Sequence, residues 1–463
     1  MTEQLKLKLN DSKATRWGAL VIVAFTMMAA YYVNDVVAPL KTMLETDLAW
    51  SSTDFGFFTG GYSFLNVFFL MLIWGGLILD RFGIRFTGKL ATILMVGGTA
   101  LEYYAMTGLA GADATLFGIN EIFGYKTGVF VAFAGYSIFG VGAEVAGITV
   151  SKIIAKWFKG KELATAMGVQ VALARIGSQA GYAVAIPLAR AFGISTPVLL
   201  GLVLLLGGMI AFFVFAVMDK KLDKQMEAAA IAAGTEDEEE KFSFKDVKNI
   251  LVNPGFWLIA LLCVLFYSCV FPFQKFASEL MIIKYGINEN VAGTFAGLPA
   301  LGGLILTPVF GGFIDKRGKS ASIMLLGSAM LICVHFIYAI PDINYWLVAI
   351  VLMIILGIAF SLVPSAMWPA VAKIFPVSQL GTAYALIFFI QNIGLWGIPT
   401  LIGWVLDAYC ISGKKPDGTN MYDYTVPMCI FTGIACLSLI VALLLKKADK
   451  KYGYKLEEPN IQK

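Results

Sequence analysis

Long apolar runs separated by short polar segments are the dominant pattern of this chain. Each run is about 20 residues or longer, which is the length that an α-helix needs to cross a bilayer. A membrane β-barrel would show short segments of alternating polarity instead. The pattern therefore predicts an all-α membrane protein with twelve transmembrane helices, at residues 17–40, 55–79, 87–107, 127–151, 163–190, 195–218, 255–282, 291–314, 320–340, 344–372, 378–408 and 424–446.

Basic residues gather on alternate loops between these runs. The clusters lie at 6–16, 81–89, 152–161, 220–224, 316–319 and 446–451, whereas the intervening loops hold scattered cases such as Lys41, Arg190 and Lys415. Because Lys and Arg accumulate on the cytoplasmic side, we predict that both termini are cytoplasmic. The first 16 residues lack a signal-peptide pattern, so we expect the first apolar run to be retained as a helix.

A polar stretch at 219–253 divides the twelve runs into two sets of six. It contains the acidic run EDEEE at 236–240, which we interpret as part of a solvated spacer, and an amphipathic segment at 242–251. We therefore predict an N-terminal six-helix half at 1–218, a cytoplasmic linker at 219–253 and a C-terminal six-helix half at 254–463.

The composition changes this picture little, but it excludes several function classes. Hydrophobic residues make up 59% of the chain and charged residues only 14%, unlike a soluble domain. The formal net charge of +4 follows from loop topology, so we predict no nucleic-acid partner. The six cysteines are scattered and there is one histidine, His335, which we expect to be a packing residue. We predict no metal, no cofactor and no enzymatic activity; a disulfide between Cys410 and Cys429 stays open.

The two halves align as an internal repeat. GLILDRFG at 76–83 matches GGFIDKRG at 311–318, and ELATAMGVQVALARIG at 162–177 matches QLGTAYALIFFIQNIG at 379–394. This register pairs Gly140 with Gly357 and Gly177 with Gly394. It also pairs two charged residues with neutral ones, and these pairs are Glu144 with Ser361 and Arg175 with Asn392. The charges of Glu144 and Arg175 are therefore not demanded by the repeat itself.

Glu144 and Arg175 lie on consecutive runs that meet at the basic turn 156–161. Each is about 15 residues from the turn, which at ~1.5 Å rise per residue puts both ~22–24 Å from one membrane face. An ionisable residue at that depth marks a functional site by default. We predict that the two side chains face one cavity and bind the opposite charges of a zwitterionic substrate. The alternative is a structural ion pair between the two helices.

Other polar or aromatic residues inside the runs are candidates for the same cavity. Lys275 is a candidate cation of the second half, and Asp35 and Glu144 are candidates for proton coupling. Glu102 is expected at the membrane interface. The remaining candidates would supply aromatic walls and neutral hydrogen bonds, and they are Tyr31, Tyr62, Tyr267, Trp368, Gln391 and Asn392.

Six helices, a linker and six helices, together with the repeated GxxxD(R/K)xG turn, resemble the major facilitator superfamily. Within it, the chain is similar to a branch of lysosomal dipeptide transporters and their prokaryotic relatives. The residues that carry this resemblance include GAEVAG at 142–147, AMWPAVA at 366–372 and QLGTAYALIFFIQNIG at 379–394. The resemblance implies dipeptide transport, with Glu144 binding the amino terminus of the peptide and Arg175 its carboxyl terminus.

The repeated turns would form a cytoplasmic gate, because an aspartate there can cap a helix and pair with nearby cations. The predicted gate residues are Asp80, Arg81, Arg85, Asp315, Lys316 and Arg317. The main alternative to dipeptide transport is an organic-anion carrier in which Arg175 binds a carboxylate and Glu144 carries a proton. A membrane receptor is the alternative from another class, but neither terminus nor the linker contains a recognisable signalling domain. We expect a monomer in a prokaryotic cytoplasmic membrane.

Overall fold

A computed structural model describes residues 8–111, 114–158, 161–233 and 244–459. Nearly all of this part of the chain is helical. The acidic run predicted to be a spacer, at 236–240, lies outside the described residues.

In its described residues, the first half of the chain contains seven helices and one hairpin. Two of the helices are joined by a short 3-10 turn at Ala38–Leu40. The elements are α1 (Lys13–Val36), α2 (Lys41–Asp47), α3 (Ser52–Phe68), α4 (Met71–Thr107), β1 (Glu121–Ile122), β2 (Tyr125–Lys126), α5 (Thr127–Trp157), α6 (Leu163–Phe192) and α7 (Thr196–Ala233).

The rest of the described chain begins with a short helix in the predicted linker and has a hairpin before its last helix. Its elements are α8 (Phe244–Val252), α9 (Pro254–Tyr285), α10 (Glu289–Ala296), α11 (Leu298–Arg317), α12 (Ser320–Ala339), α13 (Trp346–Ile374), α14 (Val377–Tyr409), β3 (Ile411–Lys414), β4 (Asn420–Tyr422) and α15 (Thr425–Tyr452). Both hairpins are antiparallel, and the pattern of apolar runs does not predict them.

By length and hydropathy, nine spans among the described residues are long and apolar enough to cross a membrane, or up to ten if α3 and α4 form one bent span. The count of twelve therefore stays a prediction. The remaining predicted spans fall on α3, α4 and α6. α6 carries polar residues along its length, including Gln170, Arg175 and Gln179. α4 contains the end of the span predicted at 55–79 and the whole of the span predicted at 87–107, and between them Gly83, whose φ is 76°, interrupts the helical backbone.

The linker predicted at 219–253 begins as a continuation of α7, which runs without a break to Ala233. Asp219 is fully buried and accepts hydrogen bonds from Lys156 Nζ at 2.7 Å and from Trp157 Nε1 at 2.9 Å. These bonds stabilise the extended helix against the end of α5. The predicted amphipathic segment at 242–251 corresponds to α8.

The segment before α1 is held against the loop between α5 and α6. Arg16 forms an ion pair with Glu162 at 2.9 Å, and Lys161 donates to the Asp11 carboxylate at 2.8 Å. The hydrogen bond from Lys161 holds the pKa of Asp11 below its usual range. These contacts join the start of α1 to the start of α6, two helices that pack along their length.

The glycines paired by the repeat make equivalent close helix contacts in the two halves. A Cβ on Gly177 of α6 would lie 2.1 Å from the Met28 carbonyl oxygen of α1. A Cβ on Gly394 of α14 would lie 2.1 Å from Ser268 Oγ of α9. Because α9 and α14 are the repeat counterparts of α1 and α6, the same helix pair approaches closely in each half.

Replacing Gly177 with alanine is therefore expected to destabilise the fold. The added methyl group would meet a backbone carbonyl that cannot rotate away, and such overpacking costs about 1–3 kcal/mol. The matched control is Gly168→Ala on the same helix, where no atom lies within 4 Å of the new Cβ. Thermal unfolding in detergent should give a lower midpoint for Gly177→Ala only; equal midpoints for the two variants would contradict this contact.

The cysteines form no disulfide, and the histidine is a packing residue. All six cysteines are free, Cys410 and Cys429 included. His335 is fully buried, its Nε2 lies 3.0 Å from the Cys269 carbonyl oxygen, and its ring stacks on Phe431. These contacts fit the packing role expected for His335.

Candidate functional site: a cavity between the two halves

A cavity of about 240 Å³ lies between the two halves of the chain. Its walls come from α1, α3, α5 and α6 of the first half and from α9, α13 and α14 of the second. This volume is slightly below the ~300–1,000 Å³ usual for sites that bind drug-sized ligands. The cavity is therefore suited to a small ligand in this conformation.

Glu144 reaches the cavity from the middle of α5. Its side chain is partly buried, and its Oε1 accepts a hydrogen bond from the Tyr62 hydroxyl on α3 at 3.0 Å. α5 and α3 can place these groups together because Gly140, one turn before Glu144, packs directly on the Tyr62 carbonyl oxygen. The hydroxyl orients the carboxylate and leaves its second oxygen available to a ligand.

Arg175 reaches the same cavity from α6. Its guanidinium carbon lies 4.8 Å from the centre of the Phe360 ring and 5.6 Å from that of Tyr31. Cation–π contacts of this kind position a guanidinium but do not saturate its hydrogen-bond donors. Among the described residues, no carboxylate lies within 4.0 Å of it. Arg175 thus presents an unneutralised positive charge to the cavity.

Glu144 and Arg175 do not form an ion pair with each other in this conformation. The structural ion pair considered from the sequence is therefore not formed, although both side chains line one cavity. The two opposite charges are separated within a partly dehydrated site. A ligand that carries both a positive and a negative charge could therefore bind between them.

Aromatic side chains form much of the remaining cavity wall. Trp368 Nε1 donates to the Tyr267 hydroxyl at 3.3 Å, and the Trp368 ring stacks on Phe388 at 4.8 Å. Tyr31, Tyr62 and Gln391 also line the cavity. These groups offer apolar surface and a few neutral hydrogen bonds around the two charges.

Asn392 does not line the cavity. Its side chain is 1% exposed, and its amide donates to the Phe388 carbonyl oxygen on its own helix at 2.9 Å. The prediction that Asn392 faces the cavity is therefore wrong for this conformation. Correspondence with Arg175 in the repeat was not sufficient, because Arg has the reach to extend into the cavity and Asn does not.

Lys275 lines the cavity, but its ammonium group already has partners. It donates to the Asn34 carbonyl oxygen at 2.6 Å and lies 3.3 Å from Asp35 Oδ1 and 3.4 Å from the Tyr136 hydroxyl. Asp35 in turn accepts from the Ser178 hydroxyl. Lys275 and Asp35 thus form a contact between the halves, so Lys275 is not a free substrate ligand in this conformation. Whether Asp35 or Glu144 carries a proton stays a prediction.

Glu102 was expected at the membrane interface, and its depth in the membrane stays a prediction. Its side chain on α4 is fully buried, and neither carboxylate oxygen has a hydrogen-bond partner among the residues that the structure describes. Burial without a hydrogen-bond partner is unfavourable for a charged carboxylate. The sequence could not show this, because α5 covers that face of α4.

Glu102→Gln is consequently expected to leave folding intact. Glutamine has the shape of a neutral glutamic acid, so the substitution removes no ion pair and the thermal midpoint near neutral pH should be unchanged. Asp35→Asn is the comparison, because Asp35 is also buried but has Lys275 within ion-pair distance. Its midpoint should fall. A fall in the Glu102→Gln midpoint as large as that of Asp35→Asn would contradict a neutral Glu102.

Comparison with known proteins identifies the family. The family model described as Major Facilitator Superfamily matches residues 20–399 and, in a second match, 276–458. The chain belongs to the major facilitator superfamily. It is thus a multi-pass membrane transporter and not an enzyme.

Relatives with known roles narrow the comparison within the superfamily. The chain is 29% identical to the lysosomal dipeptide transporter MFSD1 of Homo sapiens over 454 residues, which cover 95% of this chain and 88% of that protein. It is 27% identical to the protein of the same name from Danio rerio, over 93% of this chain and 86% of the relative.

Solved structures of superfamily members share the fold. A crystal structure of a mutant of the nucleoside transporter NupG matches with a TM-score of 0.68 at 12% identity, covering 92% of this chain and 98% of that chain. A mutant of the peptide transporter POT, in complex with sulfate, matches with a TM-score of 0.66 at 15% identity, covering 95% of this chain and 94% of that chain. At these identities the likeness concerns the fold alone.

The superfamily turn motif lies within α4 and at the end of α11, where its gate residues were predicted. Asp80 forms an ion pair with Lys152 at 3.2 Å, and Arg85 forms one with Asp223 at 2.7 Å; both partners belong to the first half. The Arg81 guanidinium lies over the Phe82 ring. Asp315, Lys316 and Arg317 end α11. A gating role for these six residues stays a prediction.

The sequence pattern does not predict a second charged cluster that the structure of this superfamily member contains. It consists of Lys41 and Glu45 of α2, Glu279 of α9, and Lys415, which follows β3. We call the end of the bundle where this cluster lies the outer end, following the topology predicted from basic residues. The available signal was the i,i+4 spacing of Lys41 with Glu45 and of Lys275 with Glu279, which puts each pair on one helix face.

Proposed function

We propose that this transporter carries dipeptides across the membrane, with Glu144 binding the peptide amino group and Arg175 its carboxylate. The observation that carries the proposal is that the guanidinium of Arg175, which has no carboxylate partner among the described residues, and the carboxylate of Glu144 line one small cavity between the two halves. Similarity to proteins named lysosomal dipeptide transporter over 95% of the chain supports the same substrate class.

The chemistry of the two groups fits the two ends of a peptide. A guanidinium can bind a carboxylate through two parallel charge-assisted hydrogen bonds, which also fixes its orientation. A carboxylate oriented by the Tyr62 hydroxyl can accept hydrogen bonds from an ammonium group. A dipeptide spans roughly 7 Å at ~3.3–3.6 Å per residue, so it can bridge two side chains that are near each other but not in contact.

Recognition through the main-chain ends makes the peptide side chains secondary. All dipeptides share one amino and one carboxyl terminus, whereas their side chains would lie against the aromatic wall formed by Tyr267, Trp368 and Phe388. Such a wall contributes apolar contact without demanding one side chain. We therefore infer a broad substrate range, with a preference for apolar and aromatic residues over charged ones.

Transport would proceed by movement of the six-helix half before the linker against the half after it, around a site near mid-membrane. We further infer that the protein is a monomeric carrier in the cytoplasmic membrane of a prokaryote, as expected from the sequence. Asp35 and Glu144 are the residues that would hold a proton if transport is coupled to one.

An organic-anion carrier is the second candidate, and one observation favours it. Arg175 lacks a carboxylate partner among the described residues, whereas Glu144 already accepts a hydrogen bond from Tyr62. A ligand with a single carboxylate would satisfy Arg175 alone. In that case Glu144 would act only as a proton carrier, and the amino group of a peptide would not contribute to binding.

Binding of capped peptides distinguishes the two candidates. Purified protein is titrated with alanyl-alanine, with its N-acetylated form, with its amidated form, and with alanine. Dipeptide transport predicts that capping either end weakens binding at least tenfold and that free alanine competes poorly. Equal binding of the N-acetylated form would favour the organic-anion carrier. Binding of the free amino acid as tight as that of the dipeptide would refute the two-ended site.

Uptake into proteoliposomes tests transport itself. Labelled alanyl-alanine should enter only vesicles that contain the protein. The uptake is measured with and without an imposed pH gradient. A dependence on the gradient would assign proton coupling, and gradient-independent equilibration would assign facilitated diffusion. A receptor without transport activity would bind the peptide but give no flux.

A further inference from the structure

Two consecutive tight turns lie in the connection between α4 and α5. The first spans residues 116–119 and is closed by two backbone hydrogen bonds of 3.0 Å between its end residues. The second spans residues 122–125 and joins β1 to β2. In both turns the two central residues are phenylalanine followed by glycine.

Both phenylalanines adopt a left-handed backbone conformation. The angle φ is 53° at Phe117 and 54° at Phe123, and the glycine that follows each of them also has a positive φ. Two central residues with positive φ are the mark of a type I′ turn, in which asparagine or aspartate is the preferred residue before glycine. A bulky side chain is disfavoured in this conformation. Turn geometry therefore does not explain either phenylalanine.

Core packing does not explain them either. Phe117 is 95% exposed and Phe123 is 87% exposed, and these are the two most exposed large apolar side chains among the described residues. The Phe123 ring lies 5.9 Å from the ring of Phe130, in the first turn of α5. An apolar side chain that strains the backbone and is exposed in the isolated chain indicates a surface that something else covers.

The turns are held firmly at their base. Thr127, the first residue of α5, donates through Oγ1 to the Ile119 carbonyl oxygen at 2.8 Å. Tyr125 stacks on Phe57 of α3, with 3.9 Å between the ring centres. Lys126 donates to a backbone carbonyl oxygen in the loop before α3. The two tips therefore have a defined position at the outer ends of α3 and α5.

The hairpin between β3 and β4, also at the outer end, has ordinary turn chemistry. Its tip contains Pro416, Asp417 and Gly418, and of these three only Gly418 has a positive φ. Asp417 is exposed and accepts hydrogen bonds from the backbone and the hydroxyl of Thr419. Proline, aspartate and glycine are typical of a turn in water. The phenylalanine tips are thus a particular feature of the α4–α5 connection.

A lipid leaflet is the partner that fits this position. The turns connect two helices of a membrane-embedded bundle, and the tips carry no charge, whereas Asn120 and Glu121 between them are polar and exposed. Aromatic groups beside polar ones are typical of segments at a membrane interface. Exposed aromatic residues also lie near the outer ends of α4, α6, α13 and α14, and these are Tyr104, Phe192, Tyr345, Trp346 and Tyr409.

We propose that Phe117 and Phe123 insert into the interface of the outer lipid leaflet and anchor the α4–α5 connection to the bilayer. Insertion removes both rings from water, and this gain offsets the strain of the left-handed turns. The recognition is apolar burial, so it requires no particular lipid headgroup. The anchor is independent of the substrate, because neither phenylalanine lines the cavity.

The test is the depth of single spin labels in phosphatidylcholine nanodiscs. Full-length protein with its six cysteines replaced by serine is labelled at Phe117→Cys, at Phe123→Cys or, as the matched control, at Asp417→Cys. Power saturation compares collisions of the label with oxygen, which concentrates in the bilayer, and with a water-soluble nickel chelate. Oxygen should dominate at positions 117 and 123, and the nickel chelate should dominate at position 417.

A label at Asn120→Cys, between the two turns, reports the effect of the native phenylalanines. Replacing both of them by asparagine should raise the ratio of water-exposed to inserted labels roughly tenfold or more, since burial of one phenylalanine side chain favours insertion by about that factor. Asparagine before glycine is preferred in this turn, so the thermal midpoint should not fall. Phe192→Asn, at the exposed end of α6, is the control and should leave the label unchanged.

The proposal is overturned if the labels at 117 and 123 are as accessible to the nickel chelate as the label at 417, because the turns would then lie in water. Protection of both labels from both reagents would also overturn it and would indicate coverage by protein, such as a second copy of the chain. Should the double asparagine variant not fold, the three single-label measurements decide.

Discussion

Arg175→Ala is expected to abolish dipeptide uptake while the protein stays folded. Loss of a buried, hydrogen-bonded charge partner costs about 2–5 kcal/mol of binding free energy, which is a roughly 30-fold or greater loss of affinity. The fold should tolerate the change, because in the described residues the guanidinium makes no ion pair and contacts the rings of Tyr31 and Phe360. Those ring contacts contribute about 0.5–2 kcal/mol.

Uptake of labelled alanyl-alanine and thermal unfolding of the same preparation measure the two effects. Arg190→Ala is the control on the same helix, because Arg190 is exposed and pairs with Glu289 away from the cavity. An exposed ion pair contributes only ~0–1 kcal/mol, so uptake should be nearly normal. Arg175→Lys should recover part of the affinity, since it keeps the charge but loses the paired donors. Full uptake by Arg175→Ala would refute the proposed site.

Glu144→Gln is expected to change which peptides bind and not only how tightly. Glutamine keeps the shape and can still accept from Tyr62, but it no longer neutralises the peptide amino group. We expect affinity for alanyl-alanine to fall roughly 10- to 100-fold, by analogy with the loss of a charged hydrogen bond at ~1.5–3 kcal/mol. Affinity for N-acetyl-alanyl-alanine should stay the same, because that ligand has no amino charge to lose.

Alanyl-alanine and N-acetyl-alanyl-alanine are each titrated against the parent protein and against Glu144→Gln. General damage to the site would weaken the binding of both peptides, whereas loss of amino-group recognition would weaken only the binding of alanyl-alanine. Tyr62→Phe supplies a graded control, since it removes one neutral hydrogen bond to Glu144 and should cost about 1 kcal/mol, or roughly fivefold. If Glu144→Gln weakens the free and the acetylated peptide equally, Glu144 does not recognise the amino group. The organic-anion carrier would then be the better description.

Depth, charge and the internal repeat were sufficient to select Glu144 and Arg175 before the fold was known. An ionisable residue at mid-membrane depth is unusual among apolar residues. The repeat counterparts of Glu144 and Arg175 are the neutral residues Ser361 and Asn392, which indicates that helix packing does not require the two charges. The internal repeat also indicated that the paired glycines are important for helix packing. Gly177 and Gly394 both lie where two helices touch, so the repeat preserves the residue together with the contact.

The sequence could not show which face of a helix meets which neighbour. Lys41 and Glu279 are 238 positions apart, and nothing local to either predicts that they touch. Lys415 was counted as a scattered loop cation, yet it lies between two buried glutamates. Glu102 was expected at the interface and is covered by α5.

Membrane helices, basic loops and the repeat follow from local composition, because a backbone in lipid must satisfy its hydrogen bonds within each helix and basic loops stay on one side. The sequence by itself therefore determined the class of protein, the existence of two related halves and the two candidate binding charges. Only the tertiary structure decided that Arg175 has no carboxylate partner in the described part of the chain, that Asn392 is turned away from the cavity and that Lys275 is engaged by Asp35. These depend on helix rotation and on the approach of the two halves, which are set by packing between residues far apart in the chain.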